Sequence, residues 1–363
     1  MTVSDREGIK RDFLAHAGLA DARRERLPGD ASTRSYERLH PANGAPLILM
    51  DAPPSSESAP CPPDATAAQR IAAGYNATAR LAASRVDAFA ATANYLRGRG
   101  LSAPEIVALD VPAGLAVVED LGPDLFARRI EAGEASEPLY ATAIDLLIDL
   151  HRQAPPAVLP LPGGGWPLLT YDNLALKTGA DVFLDWWPKF SGAPAFSAEA
   201  AADWEQAWAP IRARGDAGAD VFTHRDYHAE NLLWLDGRQG LARVGLLDFQ
   251  DAVRGHPAWD LFSLLQDARR DVPEDLEAAM LDHYLAARPD LDRAAFLQDY
   301  AGLAALNNTR ILGVFARLIA RDGKPRYADF MPRMRRLLAR NLDAPGLEPL
   351  RAWFAAHGAV AVA

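Results

Sequence analysis

The polar run at residues 224–231, His-Arg-Asp-Tyr-His-Ala-Glu-Asn, constrains this chain more than any other feature of its sequence. A second acidic turn, Asp-Phe-Gln, follows at residues 248–250. Between them, two short apolar runs flank the turn at residues 236–238, a pattern typical of a β-hairpin. The sequence therefore predicts one acidic segment on each side of a short hairpin.

Phosphoryl transfer requires groups of this kind. A carboxylate must orient the attacking hydroxyl group, and oxygen ligands must hold Mg²⁺ on the nucleotide phosphates. The two acidic segments offer both kinds of group, so the pattern indicates a kinase.

Charge and cysteine content narrow the class of protein further. The formal net charge of −10 and the pI near 5.3 argue against a main partner that is nucleic acid. The single cysteine, Cys61, cannot form an intrachain disulfide. Residues 1–7 are charged, and no apolar run approaches the roughly 20 residues that cross a bilayer. We therefore expect a cytoplasmic protein with a small-molecule substrate and no nucleic-acid or membrane partner; the oligomeric state stays open.

Strand-like and helix-like segments divide the chain near residue 119. Before it, a helix is predicted at 6–18, strands at 36–39, 47–50, 106–109 and 115–118, and a helix at 87–99. After it, helical spacing predominates at 125–131, 139–153, 181–190, 198–214, 259–269, 274–287, 293–319 and 327–342, with a Pro/Gly-rich connector at 154–167. We expect an α+β protein with an N-lobe (1–119) and a C-lobe (120–363). A Pro/Ala-rich insertion at about 53–86 should be partly helical.

The pattern His-x-Asp-x-His-x-x-Asn followed by Asp resembles the aminoglycoside phosphotransferase family, which is related to protein kinases. Protein kinases usually have Lys where this chain has His228, as small-molecule kinases of the family do. The resemblance covers residues from about Pro28 to Leu342. It implies a two-lobed, protein-kinase-like fold with a small β-rich, nucleotide-binding N-lobe. The larger helical C-lobe would carry the catalytic loop, the metal site and the acceptor-binding helices.

The same resemblance assigns roles to single residues. Asp226 matches the catalytic base, and Asn231 and Asp248 match the two Mg²⁺ ligands. His224 would brace the catalytic loop, and Asp260 would tie that loop to the next helix.

On the nucleotide side, the loop at 29–35 is expected to cover the ATP phosphates, with Ser32, Thr33 and Arg34 as binding residues. An ordinary surface turn has the same composition, so that reading stays open. The segment from Glu119 to Leu121 would be the hinge that pairs with adenine.

The phosphate-gripping Lys of the family is missing. The third strand offers Met50 at that position, and the helix at 87–99 lacks the Glu that would pair with the Lys. Arg34 is our candidate for supplying the positive charge. If nothing supplied it, the chain would be a nucleotide-binding relative without transfer activity.

The acceptor side is basic and aromatic rather than acidic. Arg310 and Arg317 lie seven residues apart, on one face of a predicted helix, and suit a neutral or anionic acceptor better than a polycation. Surface charges on a solvated helix are the alternative. Further candidates for contacts to the acceptor are His228, Glu230 and Gln250 near the catalytic groups, and Asp185 with Trp187, which could equally belong to the lobe core.

Four segments narrow the resemblance. Residues 31–36, 49–53, 248–252 and 310–327 look like the bacterial anomeric sugar kinases of peptidoglycan recycling, which phosphorylate N-acetylmuramate and N-acetylglucosamine at C1. In that group, Met in place of the Lys is characteristic, whereas the insertion at 54–86 departs from it. The resemblance implies an ATP- and Mg²⁺-dependent sugar 1-kinase. An aminoglycoside, a choline-like amine or another small alcohol remains an alternative acceptor, and the sugar and its anomer stay open.

Overall fold

A five-stranded antiparallel sheet forms the first part of the computed structural model, which describes residues 3–28, 34–53, 62–82 and 85–358. Its strands are β1 (Arg23–Arg26), β2 (Ser35–His40), β3 (Leu47–Asp51), β4 (Ile106–Asp110) and β5 (Leu115–Glu119). They lie in the order β1-β2-β3-β5-β4. Helix α1 (Val3–His16) covers one face, where Phe13 and Leu14 pack in a small core with Leu49 and Val117.

Successive side chains of β3 point to opposite faces of the sheet. One face packs in this small core, and the other faces the cleft between the two lobes, called here the interlobe cleft. Leu49 points towards α1, whereas Ile48 and Met50 line the cleft on the opposite face. In the described part of the segment between β3 and β4 lie the helices α2 (Ala67–Ala73), α3 (Tyr75–Thr78) and α4 (Val86–Gly98). Phe89 of α4 lines the same cleft, so the sheet and α4 together form its N-lobe wall.

The C-lobe is mostly helical. Its helices are α5 (Phe126–Glu131), α6 (Ser136–His151), α7 (Asn173–Ser191), α8 (Ala198–Ala217), α9 (Ala258–Leu265), α10 (Glu274–Ala286), α11 (Arg293–Ala320), α12 (Met331–Leu342) and α13 (Glu348–Ala356), with 3₁₀ turns at Gly240–Arg243 and Pro325–Phe330. Three antiparallel strand pairs complete it: β6 (Val158–Leu161) with β7 (Gly164–Pro167), β8 (Val221–Thr223) with β11 (Val253–Gly255), and β9 (Leu232–Trp234) with β10 (Val244–Leu246).

Helices α7 and α11 approach each other closely at Gly313. A Cβ atom there would lie 2.5 Å from the Phe183 backbone nitrogen, a distance that real Cβ atoms do not reach. Glycine therefore permits the crossing on which one wall of the C-lobe core is built.

The expected α+β fold, with a small sheet-containing N-lobe and a larger helical C-lobe, is confirmed. The boundary after Glu119, where β5 ends, stays a prediction. Two local features differ from the prediction. The Pro/Gly-rich stretch at 154–167, predicted as a connector, forms the β6–β7 hairpin. Short strands such as β1 were not predicted, because their sequences lack the alternation of apolar residues that indicates a strand.

The second half of the insertion forms α2 and α3, which confirms its helical prediction. Thr66 begins α2 with a capping box, since its hydroxyl accepts from the Gln69 N–H and the Gln69 side chain accepts from the Thr66 N–H. Residues 54–61, at the start of the insertion, lie outside the described residues.

The described part of the insertion is anchored to the C-lobe. Arg70 and Arg80, both buried, form ion pairs with Asp172, with N···O distances of 3.0 and 3.2 Å. Arg225 Nη2 donates to the Ala79 carbonyl at 2.8 Å. Residues 62–82 therefore lie directly beside the polar run at 224–231.

Replacing Asp172 with Asn tests this anchor. Asn caps a helix as well as Asp does, so the N-cap of α7, in which Asp172 accepts from the Ala175 N–H, should survive. The two buried arginines, however, lose their counter-charge, and we expect the free energy of unfolding to fall by about 3 kcal/mol. Urea denaturation measures it. Asp292→Asn, at the exposed N-cap of α11, is the control and should have little effect; an equal loss in both variants would contradict the anchor.

Candidate active site

The run at 224–231 is the loop between β8 and β9, and one carboxylate fixes its start. Asp260 of α9 is buried, and its two oxygens accept the backbone N–H groups of His224 at 2.6 Å and Arg225 at 2.8 Å. Arg225 has a φ of +81°, which is strained for a residue with a side chain. Trp259 Nε1 donates to the Arg225 carbonyl at 3.3 Å. Helix α9 thus holds the loop in a conformation that it would not adopt alone.

His224 lies inside the C-lobe rather than at a cavity. Its ring packs edge-on against Phe249 and Tyr227, at centroid distances of 6.2 and 5.5 Å. Burial lowers its pKa to about 4, so the imidazole is neutral near pH 7. This placement suits the bracing role assigned to His224 and gives it no contact with a substrate pocket.

Asp226 lines a small pocket of about 170 Å³. The other walls are residues 263–269, at the end of α9 and after it, and residues 307–315 of α11. Burial, and then the nearby charge of Asp248, raise the pKa of Asp226, while Arg310 opposes this shift. The carboxylate is therefore more basic than an exposed aspartate.

Asn231 and Asp248 are brought together by the β9–β10 hairpin. Leu232 pairs with Leu246, so the residues just before β9 and just after β10 meet at one end. The Asn231 side-chain amide donates to the Asp226 carbonyl at 2.9 Å, which leaves its Oδ1 as the atom able to bind a cation. Both Asn231 and Asp248 line a second cavity, of about 480 Å³, between the sheet and the C-lobe.

This second cavity is the interlobe cleft. Its walls are largely apolar, with Ile48 and Met50 from β3, Val118 from β5 and Leu233 from β9. The hinge candidates Glu119 and Leu121 also line it. The Glu119 N–H donates to the Glu105 carbonyl at 2.9 Å, so Leu121 is the better candidate for a backbone donor to adenine.

The cleft carries a positive charge at Arg34. Its Nη2 lies 2.7 Å from Asp248 Oδ1, and Gln250 Nε2 donates to the same oxygen at 3.1 Å. Met50, where the resemblance led us to expect Lys, is buried in the cleft wall. Ser32 and Thr33, the other phosphate-loop candidates, lie outside the described residues.

The oxygen donors fit a metal that is bound jointly with a nucleotide. Within the described ranges, no cluster of three or more His, Cys, Asp or Glu side chains is arranged to hold a metal alone. Mg²⁺ commonly takes one or two protein oxygens and completes its shell with phosphates and water. Because Arg34 and Gln250 both use Oδ1 of Asp248, Oδ2 is the oxygen available to such an ion.

The structure separates the residues predicted for the acceptor. Arg310 and His228 line the pocket with Asp226. Arg317 lies two turns along α11, over the ring of Tyr75 at 5.5 Å, and is not part of the pocket lining. Glu230 forms an ion pair with Arg270 at 2.6 Å, and Gln250 is buried beside Asp248.

The proposed sugar platform lies elsewhere. Trp187 is buried in the C-lobe core and stacks on Phe183 with ring centroids 4.9 Å apart, while Asp185 is exposed. Neither residue belongs to the pocket at Asp226. Trp187 follows Phe183 by one helical turn, on the face of α7 that contacts Trp204, and this spacing is the signal of a core position.

The pocket also contains Arg269, which sequence reasoning missed. It follows α9 in an irregular segment, where no periodicity indicates the direction of a side chain. Gln266, three residues earlier, also lines the pocket. This spacing points to a shared pocket only once the fold is known.

Comparisons with known proteins agree with this geometry. The model of the phosphotransferase enzyme family matches residues 23–297. The chain is 61% identical to the N-acetylmuramate/N-acetylglucosamine kinase of Caulobacter vibrioides, over 98% of this chain and 97% of the relative. It is 29% identical to the enzyme of that name from Pseudomonas aeruginosa, over 85% and 80% of the two chains.

Solved structures support the fold alone. A choline/ethanolamine kinase family protein from Mesorhizobium loti superimposes with a TM-score of 0.54 at 16% identity, covering 96% of this chain and 98% of that one. Plasmodium vivax ethanolamine kinase gives a TM-score of 0.54 at 9% identity, covering 90% of this chain and 84% of that one.

Across the described ranges, the helices are too short or too polar to cross a membrane.

Replacing Asp260 with Asn tests the bracing of the catalytic loop. The amide NH₂ would face a backbone N–H, which leaves one buried donor without an acceptor. We expect the free energy of unfolding to fall by about 2 kcal/mol, measured by urea denaturation. Asp110→Asn is the control, since its side chain accepts the Ala113 N–H in a turn that Asn also serves. A stable Asp260→Asn protein would argue against the brace.

Proposed function

The chain belongs to the phosphotransferase enzyme family, and we propose that it transfers the γ-phosphoryl group of ATP to the anomeric C1 hydroxyl of N-acetylmuramate or N-acetylglucosamine. The observation that carries the proposal is the position of Asp226. Asp226 lines the pocket and its backbone carbonyl accepts the side-chain amide of Asn231, which with Asp248 lines the neighbouring cleft; this supports a base close to two oxygen ligands. The acceptor follows from the 61% identical relative that is named for these two sugars.

On the donor side, the apolar walls of the cleft would hold the adenine ring, with Leu121 pairing with its edge. Arg34 is the cation that would face the phosphates in place of the missing Lys. Asn231 Oδ1 and Asp248 Oδ2 would hold Mg²⁺, which, when bound, neutralises the phosphate oxygens and fixes their orientation.

On the acceptor side, Asp226 would accept the proton of the C1 hydroxyl as its oxygen bonds to the γ-phosphorus and the bond to ADP breaks. An anomeric hydroxyl is more acidic than an ordinary sugar hydroxyl, so a carboxylate suffices as the base. His228 would orient the sugar. Burial, and then the charge of Arg269, lower the pKa of His228, so its ring is neutral.

The charge of the pocket argues against a polycationic acceptor. Arg225, Arg269 and Arg310 line it, against the carboxylates of Asp226 and Asp267. An aminoglycoside or a choline-like amine would bring further positive charge to three guanidinium groups.

Both proposed sugars are components of peptidoglycan. With ATP as the donor, the proposal places the reaction in peptidoglycan recycling in the cytoplasm.

Replacing Asp226 with Asn should remove the base while keeping the fold and ATP binding. We expect turnover to fall by about 10²- to 10⁴-fold. In the native enzyme, Asp226 is deprotonated only above its raised pKa, so kcat/KM should fall as the pH is lowered, with a midpoint above the usual value for aspartate near 3.9. The variant should lack this limb. Near-normal turnover by the folded variant would remove Asp226 as the base.

A panel of acceptors tests the reaction itself. N-acetylmuramate, N-acetylglucosamine, glucose and kanamycin are incubated with ATP and Mg²⁺, and the products are analysed by ³¹P NMR, which distinguishes an anomeric phosphate from a 6-phosphate. We expect C1-phosphates of the two N-acetylated sugars. A preference for kanamycin would refute the acceptor, and ATP binding without turnover of any acceptor would favour a non-catalytic relative.

A further inference from the structure

Three arginines line the Asp226 pocket, and none of them forms an ion pair with any residue that the structure describes. The buried guanidinium of Arg225 is held instead by the backbone carbonyls of Ala79 and Arg80. Arg269 and Arg310 are partly exposed to the pocket and have no carboxylate partner among the described residues. An uncompensated cation in a pocket is costly unless a ligand supplies the counter-charge.

Arg269 differs sharply from its neighbour Arg270. Arg270 is paired with Asp267 at 3.1 Å and with Glu230 at 2.6 Å. From Arg269, Asp267 accepts the backbone N–H, at 2.8 Å, and it forms no ion pair with the Arg269 guanidinium. Asp267 and Glu230 are both paired with Arg270, so neither neutralises the charge of Arg269.

The Arg269 guanidinium contacts His228. Its Nη1 lies 3.4 Å from His228 Nε2, which the Asn231 amide also approaches at 3.3 Å. With two donors at Nε2, the proton of the neutral ring belongs on Nδ1. Nδ1 is buried and has no hydrogen-bond partner within the described part of the chain. A donor and a cation thus lie together in the acceptor pocket.

Arg269 and Arg310 reach the pocket from different elements. Arg310 belongs to α11, and its Nε donates to Asn307 Oδ1 at 3.1 Å. Arg269 follows α9, and its guanidinium lies against the ring of His228, the residue proposed to orient the sugar. A group bound by Arg269 would therefore lie beside His228, on the body of the acceptor.

We propose that Arg269 is a specificity-determining residue that binds a carboxylate on the acceptor sugar. N-acetylmuramate carries such a carboxylate, on its lactyl ether, and N-acetylglucosamine does not. A guanidinium group binds a carboxylate through two parallel hydrogen bonds, which gives both affinity and orientation. This inference rests on the proposed function and adds the group by which the two sugars are distinguished.

The test compares three acceptors in the full-length enzyme: N-acetylmuramate, its neutral methyl ester, and N-acetylglucosamine. The ester removes the charge of the acid and adds one methyl group. In Arg269→Gln, we expect kcat/KM for the acid to fall by about 30-fold, as for loss of a charged hydrogen bond. The values for the ester and for N-acetylglucosamine should change far less, so the preference for the acid over the ester should disappear.

Two further variants serve as controls. Arg269→Lys keeps the charge and should retain part of the preference for the acid. Arg336→Gln removes an exposed arginine of α12 that contacts Asp271, and it should leave all three values unchanged. Replacing Arg269 removes the counter-charge of no described carboxylate, so the variant should stay folded. Thermal denaturation checks this.

The outcomes separate this inference from the proposed function. Equal losses on all three acceptors would mean that Arg269 acts on the phosphoryl group or on the fold, and would overturn the inference. An unchanged acid-to-ester ratio in Arg269→Gln would also overturn it, while leaving the sugar kinase intact. A native enzyme that phosphorylates neither sugar would remove the proposed function, and the inference with it.

Discussion

The site depends on the two hydrogen bonds that the buried carboxylate of Asp260 accepts from the catalytic loop. They hold Arg225 at a positive φ, and this conformation directs the next residue, Asp226, into the acceptor pocket. Asn231 then closes the loop by donating to the Asp226 carbonyl. Because the hairpin register fixes Asp248 relative to Asn231, one helix-borne carboxylate orders both the proposed base, Asp226, and the two proposed metal ligands.

The two lobes are coupled at this loop through contacts that a minimal kinase fold does not require. The Arg225 guanidinium donates to the Ala79 carbonyl at the end of α3, and Asp251, just after the acidic turn, accepts the Ala82 N–H. Phe89 of α4 stacks on Phe249 at 4.7 Å. The insertion and α4 therefore lie against both acidic segments, which makes them part of the support of the site rather than a peripheral addition.

The distribution of charge explains how an acidic chain can bind anions. The net charge is −10, yet arginines are concentrated where ligands would bring negative charge. Arg34 lies at Asp248 in the nucleotide cleft, and Arg269 and Arg310 lie in the acceptor pocket. In the proposed function, Arg34, just before β2, would supply the cation that Met50 does not. The arginines of the acceptor pocket would disfavour a polycation, since repulsion discriminates as effectively as attraction.

The short-range sequence pattern was sufficient to predict a phosphotransferase and the strands around its polar segments. The spacing of Asp226, Asn231 and Asp248 around a hairpin, and the apolar run that forms β3, are local features of the sequence, so they could be identified without the fold. Side chains that point from one helix towards another could not be assigned in this way. Helical spacing placed Arg310 and Arg317 on one face, but only the packing around α11 gives the first to the pocket and the second to Tyr75. The same holds for Trp187, which packs on Phe183 in the C-lobe core, and for Arg269. Periodicity defines a face, and the tertiary contacts decide what that face meets.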